Sequence, residues 1–85
     1  MGCDGGVYIP PLVTSYSVYI YSSDGVSGYL YVDGKNVGYL YPYSYVTVTL
    51  SSGSHSVSLN GAFCGYITPT YDGETFYVNS NYDIW

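Results

Sequence analysis

Along most of the chain every second residue is apolar, in short segments separated by turn-forming residues. Residues 15–22 place Tyr16, Val18 and Ile20 on one face and Ser17, Tyr19 and Tyr21 on the other, the period-two pattern of a half-buried strand. Residues 28–33 follow with Leu30 and Val32 inward and Tyr29 and Tyr31 outward. In 37–41, Val37, Tyr39 and Tyr41 share one face and Gly38 and Leu40 the other. Residues 44–50 alternate cleanly, with Val46, Val48 and Leu50 opposite Tyr45, Thr47 and Thr49. Residues 54–59 set Val57 and Leu59 against Ser54, Ser56 and Ser58, and segments 62–68 and 74–79 complete the series. Apolar residues never recur at helical spacing, so no helix is predicted.

The intervening residues carry turn chemistry, since Gly, Asn and Asp tolerate positive φ or bond to their own backbone. Asp33-Gly34-Lys35-Asn36 predicts a hairpin, and Ser51-Ser52-Gly53 a second one joining 44–50 to 54–59. Asn60-Gly61 is another turn, and 62–68 with 74–79 make a last pair through Pro69 and Tyr71-Asp72-Gly73. Pro42 lacks the N–H a ladder needs, which predicts a bend or a strand that switches sheets there. About seven short strands at this spacing predict an all-β fold, a small antiparallel β-sandwich. That sandwich is expected to span residues 15–85. Residues 1–14 read as an irregular segment, in which a strand around Val7–Ile9 is ended by Pro10-Pro11 and must lie at an edge or pair with another chain. No linker divides the chain and no repeat stands out along it.

Composition narrows the function classes. Six acids stand against one base, Lys35, for a formal net charge of −5. That excludes nucleic acid as a partner, because counterion release needs several Lys or Arg near phosphates, and it excludes electrostatic binding to anionic lipid. Only 8% of residues are charged, against roughly 25% in an ordinary soluble domain. Such a surface lacks the charge that normally keeps proteins apart. It fits a secreted module coated in Ser, Thr and Tyr, or a surface that packs against its own copies. The expected location is extracellular or on the cell surface, where a single Lys leaves little for trypsin-type proteases.

No run of 18 apolar residues exists, so no transmembrane helix is predicted. Residues 1–13 show no basic start and no continuous apolar stretch, and hence no signal peptide, although Gly2-Cys3 fits the end of a bacterial lipoprotein signal with Cys3 acylated. Cys3 and Cys64 allow one internal disulfide, an intermolecular bridge or two buried thiols. An internal bridge over a loop of this length contributes roughly 4 kcal/mol in the chain-entropy account.

Residues 28–66 contain a further pattern: Asp33-Gly34-Lys35, Gly38, Pro42, Gly53-Ser54-His55 and Gly65-Tyr66, set between alternating strands. Over residues 15–80 the chain resembles the PEGA domain, a small extracytoplasmic β-sandwich module of bacterial and archaeal envelope proteins. It departs at Leu40-Tyr41-Pro42, where that family carries a compact Thr-Pro, and in its density of tyrosine. The resemblance implies a sandwich outside the cytoplasm and carries over no catalytic residue.

Little here suggests catalysis. His55 is the only histidine, and it shares the parity of Val57 and Leu59, so it reads as a structural side chain bonded to a loop backbone. Asp24, Asp33 and Asp72 sit in turns, where carboxylates accept backbone hydrogen bonds. Asp72 and Glu74 lack the spacing of a calcium loop, and two cysteines with one histidine lack that of a zinc site. The expectation is a non-enzyme with no cofactor and no metal.

The fourteen tyrosines carry the functional expectation. Tyr19, Tyr21, Tyr29, Tyr31 and Tyr45 fall on outward faces, as a planar cluster of phenols able to stack on sugar rings or on a neighbouring subunit. Trp85 ends the chain beside Ile84 on an apolar pair. An extended terminal segment can complete the sheet of an adjacent copy, and an open series of such contacts makes a filament. The leading expectation is therefore a structural subunit that assembles with copies of itself. The alternative is a monomeric polysaccharide- or wall-binding module.

Overall fold

The structure is a computed structural model and describes residues 15–85. The expected strand at Val7–Ile9, the donated N-terminal segment and any bridge from Cys3 lie outside the described residues. Among the described residues seven strands form: β1 (Ser15–Ser22), β2 (Gly28–Val32), β3 (Lys35–Leu40), β4 (Tyr45–Ser51), β5 (His55–Leu59), β6 (Ala62–Ile67) and β7 (Glu74–Val78). They build two sheets, of order β4-β1-β7 and β3-β2-β5-β6. The all-β sandwich expected from alternation is the observed fold.

The alternating aliphatics meet between the sheets. Val18, Ile20, Val48, Leu50, Phe76 and Val78 from one layer pack with Leu30, Val32, Leu40, Val57, Leu59 and Ile67 from the other. Fully burying such a side chain stabilises the fold by about 1.5–3 kcal/mol. Ser22 is the one hydroxyl among them with no exposure; it donates to the Val26 carbonyl at 2.5 Å, so its burial leaves no unmet donor.

Strand pairing departs from the expected hairpins in three places. The turn after β4 does not close a hairpin, because β4 pairs with β1 while β5 pairs with β2 and β6. Nor do β6 and β7 pair: β7 lies parallel to β1, with Ile20 opposite Phe76. A period of two fixes which face a residue takes and says nothing about which strand lies beside it. Pro42 does mark a change of sheet, from β3 to β4. The turn there is closed by Ser44 N–H donating to the Tyr41 carbonyl at 3.1 Å.

The third departure is Val37, expected beside Tyr39 and Tyr41. A β-bulge intervenes: Leu30 pairs with Gly38 but Tyr31 with Asn36, which leaves Val37 as the extra residue. The bulge resets the parity, and Val37 packs against the core.

The C-terminal segment does not extend freely. Ile84 bridges Val78, and Tyr77 and Trp85 exchange both backbone hydrogen bonds at 2.8 and 2.9 Å. Asn79 Oδ1 accepts from the N–H groups of Asn81 and Asp83, tightening the turn between. The tail therefore covers the outer edge of β7 in its own chain. That end is occupied and is not a free strand to donate, contrary to the expectation from its apolar finish.

Candidate functional site

Both outer faces of the sandwich are aromatic. Along β1, β4 and β7 the outward positions hold Ser17, Tyr19, Tyr21, Tyr45, Thr47, Thr49, Thr75 and Tyr77, none of them charged. Tyr19 and Tyr45 meet edge to face at 5.1 Å between ring centroids. Tyr21 leans on Tyr77 at 6.0 Å, and Tyr77 stacks on Trp85 at 5.9 Å. Tyr19, Tyr21, Tyr45 and Thr75 line a shallow recess of about 280 Å³.

On the opposite sheet Tyr29 and Tyr39 face each other across β2 and β3 with centroids 5.0 Å apart, and Tyr39 contacts Tyr41 at 4.8 Å. Phe63 and Tyr66 form a further pair at 5.3 Å on β6. Tyr31, Ser56 and Ser58 lie between these groups. Edge-to-face contacts of this kind add about 0.5–1.5 kcal/mol beyond area burial. The rings are thus held in place and still exposed: Tyr41, Tyr66, Tyr45, Tyr29 and Trp85 each keep more than half their surface in solvent.

The sequence-derived residues divide between these faces. Tyr19, Tyr21, Tyr45 and Trp85 share one, and Tyr29 and Tyr31 the other, so they are two clusters and not one. Tyr19, Tyr21 and Tyr31 are half-buried by their neighbours. Tyr39, Tyr41, Phe63, Tyr66 and Tyr77 were missed as surface residues. Parity alone would have put Tyr77 outward opposite Phe76 and Val78. Phe63 needed knowledge of a second bulge, where Val57 pairs with Gly65 and Ser58 with Phe63. Cys64 is the extra residue there, packed against the core, with its thiol pushed up by burial.

The charged groups sit off these faces. Asp24 accepts from the Ser80 N–H and hydroxyl at 2.9 and 2.8 Å, which hold its carboxyl below the usual range. Asp72 accepts from the Ser17 N–H, and Glu74 from the Thr70 N–H and hydroxyl. These carboxylates tie loops together, and among the described residues no three metal-ligating side chains cluster.

Asp33 and His55 form the one ion pair among the described residues, with Nδ1 at 2.5 Å from Oδ2. His55 Nε2 faces the Ser51 carbonyl at 2.7 Å, so both ring nitrogens meet acceptors and the imidazolium is favoured. The Asp33 hydrogen bond raises the His55 pKa above its ordinary 6.5, against burial, and His55 in turn lowers that of Asp33. The ring is buried, as its parity implied. Its partners are a carboxylate and a carbonyl, with no nucleophile between them, so the pair braces a turn.

In comparison with known proteins, no family model, no curated protein and no solved structure matches this chain.

Proposed function

We propose that the protein is a non-enzymatic structural subunit, outside the cell or on its surface, that self-assembles into a filament or surface array. Its tyrosine-rich faces supply the contacts, together with a strand donated from residues 1–14, since the C-terminal tail is engaged in its own sheet. The observation that carries this reading is the pair of outer faces, paved with partly exposed aromatic rings and free of charge at their strand positions. Contiguous exposed apolar surface of this kind marks interaction sites. Tyrosine suits the role because it brings large area with two rotatable bonds and a hydroxyl that stays bonded when buried. The likeness to PEGA domains is part of the same proposal. The turn at Asp33-Gly34, Gly38 at positive φ beside the Val37 bulge and the inward His55 give its motif residues structural roles in support.

The test is electron microscopy of the chain at rising concentration, beside a Tyr29→Ser, Tyr66→Ser variant. Ordered filaments or sheets are expected from the parent and short or no assemblies from the variant, with both showing cooperative thermal unfolding. Dispersed monomers from the parent at every concentration would overturn the proposal.

A second reading has one specific observation in its favour, the recess between Tyr19, Tyr21, Tyr45 and Thr75. Rings at its walls and hydroxyls at its rim fit a sugar of a wall polysaccharide. In that case the monomer binds polysaccharide saturably, and Tyr19→Ser abolishes the binding.

A further inference from the structure

Among the described residues the two sheets have four edges, and three of them are blunted. β3 begins at Lys35 and is broken by the Val37 bulge. β6 is broken by the bulge at Cys64. The outer edge of β7 is covered by Ile84 and Trp85. Bulges, charged residues and covering segments are the usual means of stopping a sheet from growing. Among the described residues β4 has none of them. Its seven residues, Tyr-Val-Thr-Val-Thr-Leu-Ser, contain no charge, no Pro, no Gly and no bulge.

The ladder shows which of its backbone groups face outward. Ser22 N–H donates to the Ser44 carbonyl at 2.8 Å, so residues 22 and 44 are a hydrogen-bonded pair. By alternation Val46, Val48 and Leu50 bond to β1, and the N–H and C=O groups of Tyr45, Thr47, Thr49 and Ser51 point away from it. Among the described residues no strand lies on that side.

We infer that β4 is a homotypic joint: it pairs antiparallel with β4 of a second copy about a two-fold axis at Val48. This deepens the proposed assembly through the tyrosine faces, rests on it, and takes β4 itself in place of residues 1–14 as the strand that pairs between copies. The register follows from the alternation. Tyr45 meets Ser51 of the second copy and Thr47 meets Thr49, so the four outward-facing residues of each strand all find partners. On the outer face this sets Thr against Thr, a favourable cross-strand pair. On the inner face Val46 meets Leu50 and Val48 meets Val48, which continues the core layer across the joint. A second copy is the fitting occupant because two identical edges complement each other without any new residue. Charge also permits it in a chain of net charge −5. The acids Asp24, Asp72, Glu74 and Asp83 lie in loops and at β7. The charged groups that share a recess with the end of β4 are Asp33, Lys35 and His55, with Asp33 paired to His55. A two-fold contact closes on itself, so it yields a pair of sandwiches, and the aromatic faces then join pairs into a larger array.

The test follows mass by analytical ultracentrifugation and amide exchange by NMR over a concentration series of the full chain. Two variants accompany it. Thr47→Lys, Thr49→Lys brings four cations together across the axis, and Thr49→Pro removes an N–H that points away from β1. The expected result is a dimer in which the Thr47 and Thr49 amides exchange about tenfold or more slowly as concentration rises, with both variants folded but monomeric at the same concentrations. Concentration-independent exchange at these two amides would overturn the inference, whether fast, from a bare edge, or slow, from an edge covered by residues 1–14 of the same chain. Parent-like assembly of both folded variants would also overturn it, while leaving assembly through the aromatic faces intact. A parent that stays monomeric throughout removes both.

Discussion

The β2–β3 and β5–β6 hairpins have the same construction and different chemistry at one position. Asp33 and Gly34 turn the first with φ of 53° and 81°, and Asn60 and Gly61 turn the second with 53° and 80°. Both are two-residue turns with positive φ at each centre, the form that matches strand twist. Each return strand then carries a bulge followed by a glycine at large positive φ, Gly38 at 135° and Gly65 at 148°. The hairpins pair through β2 and β5, with Leu30 opposite Leu59 and Val32 opposite Val57. Asp33 N–H donates to the Ser56 carbonyl and Asn60 N–H to the Tyr29 carbonyl, each at 2.9 Å. The side-chain Oδ1 atoms return the favour, accepting from Ser56 N–H and Tyr29 N–H. The sheet is a local two-fold in which each turn residue clamps the start of the other hairpin.

The difference lies in what the second side-chain atom meets. Asp33 Oδ2 meets the His55 ring, and Asn60 Nδ2 donates to the Ser27 carbonyl. The counterpart of His55 in the other half is Gly28, and a Cβ there would fall 2.1 Å from Asn60 Oδ1. One clamp uses an ion pair and the other needs a residue with no side chain. Equivalent backbones therefore accept opposite solutions, provided donor and acceptor match locally.

The two hairpins should respond unequally to substitution, most severely at the clamp that has no room for a side chain. Gly28→Ala should displace Asn60 from two hydrogen bonds and strain a backbone at φ +153°. A loss of about 3 kcal/mol or more is expected by chemical denaturation; stability near the parent's would mean that Asn60 is not a clamp.

The bulge glycines come next. A Cβ on Gly65 would meet Ile84 at 3.1 Å, whereas one on Gly38 would meet Val46 at 3.6 Å, an ordinary contact. Both substitutions strain a positive φ, and Gly65→Ala should cost about 1 kcal/mol more than Gly38→Ala. Equal losses would show that the C-terminal tail yields freely.

The smallest effect is the pH dependence of the Asp33–His55 pair. The raised His55 pKa contributes stability that is complete below its ordinary 6.5 and is lost as pH rises through the folded value. The lowered Asp33 pKa contributes above the ordinary 3.8 and is lost as pH falls through its folded value. The pair is therefore fully stabilising between those two ordinary values, and half of the Asp33 side chain is exposed, which keeps the effect modest. Thermal unfolding should show a Tm that declines on the alkaline side of that window. Asp33→Asn should flatten the decline, whereas an unchanged profile would remove the ion pair as its source.

The internal correspondence of the two hairpins was present in the sequence but not legible there. Gly34, Gly38 and Tyr39 recur as Gly61, Gly65 and Tyr66, while most of the intervening side chains differ. What is repeated is backbone conformation, and at Gly28 and His55 the equivalent positions carry unlike residues. The aromatic faces were half legible. Parity placed Tyr29 and Tyr45 outward, but only strand order put Tyr21 beside Tyr77 and divided the phenols between two sides.

The strands, most of the inward aliphatics and the sparse charge of the surface were legible in the residues alone. These follow from the period of two, the turn residues and composition, all of which act over a few neighbours. The parallel pairing of β1 with β7, the capture of the C-terminal tail and, among the described residues, the unpaired edge of β4 emerge only once the chain is folded. Those outcomes depend on which strands meet across the chain, where shape and core volume select among pairings that the local pattern leaves equivalent.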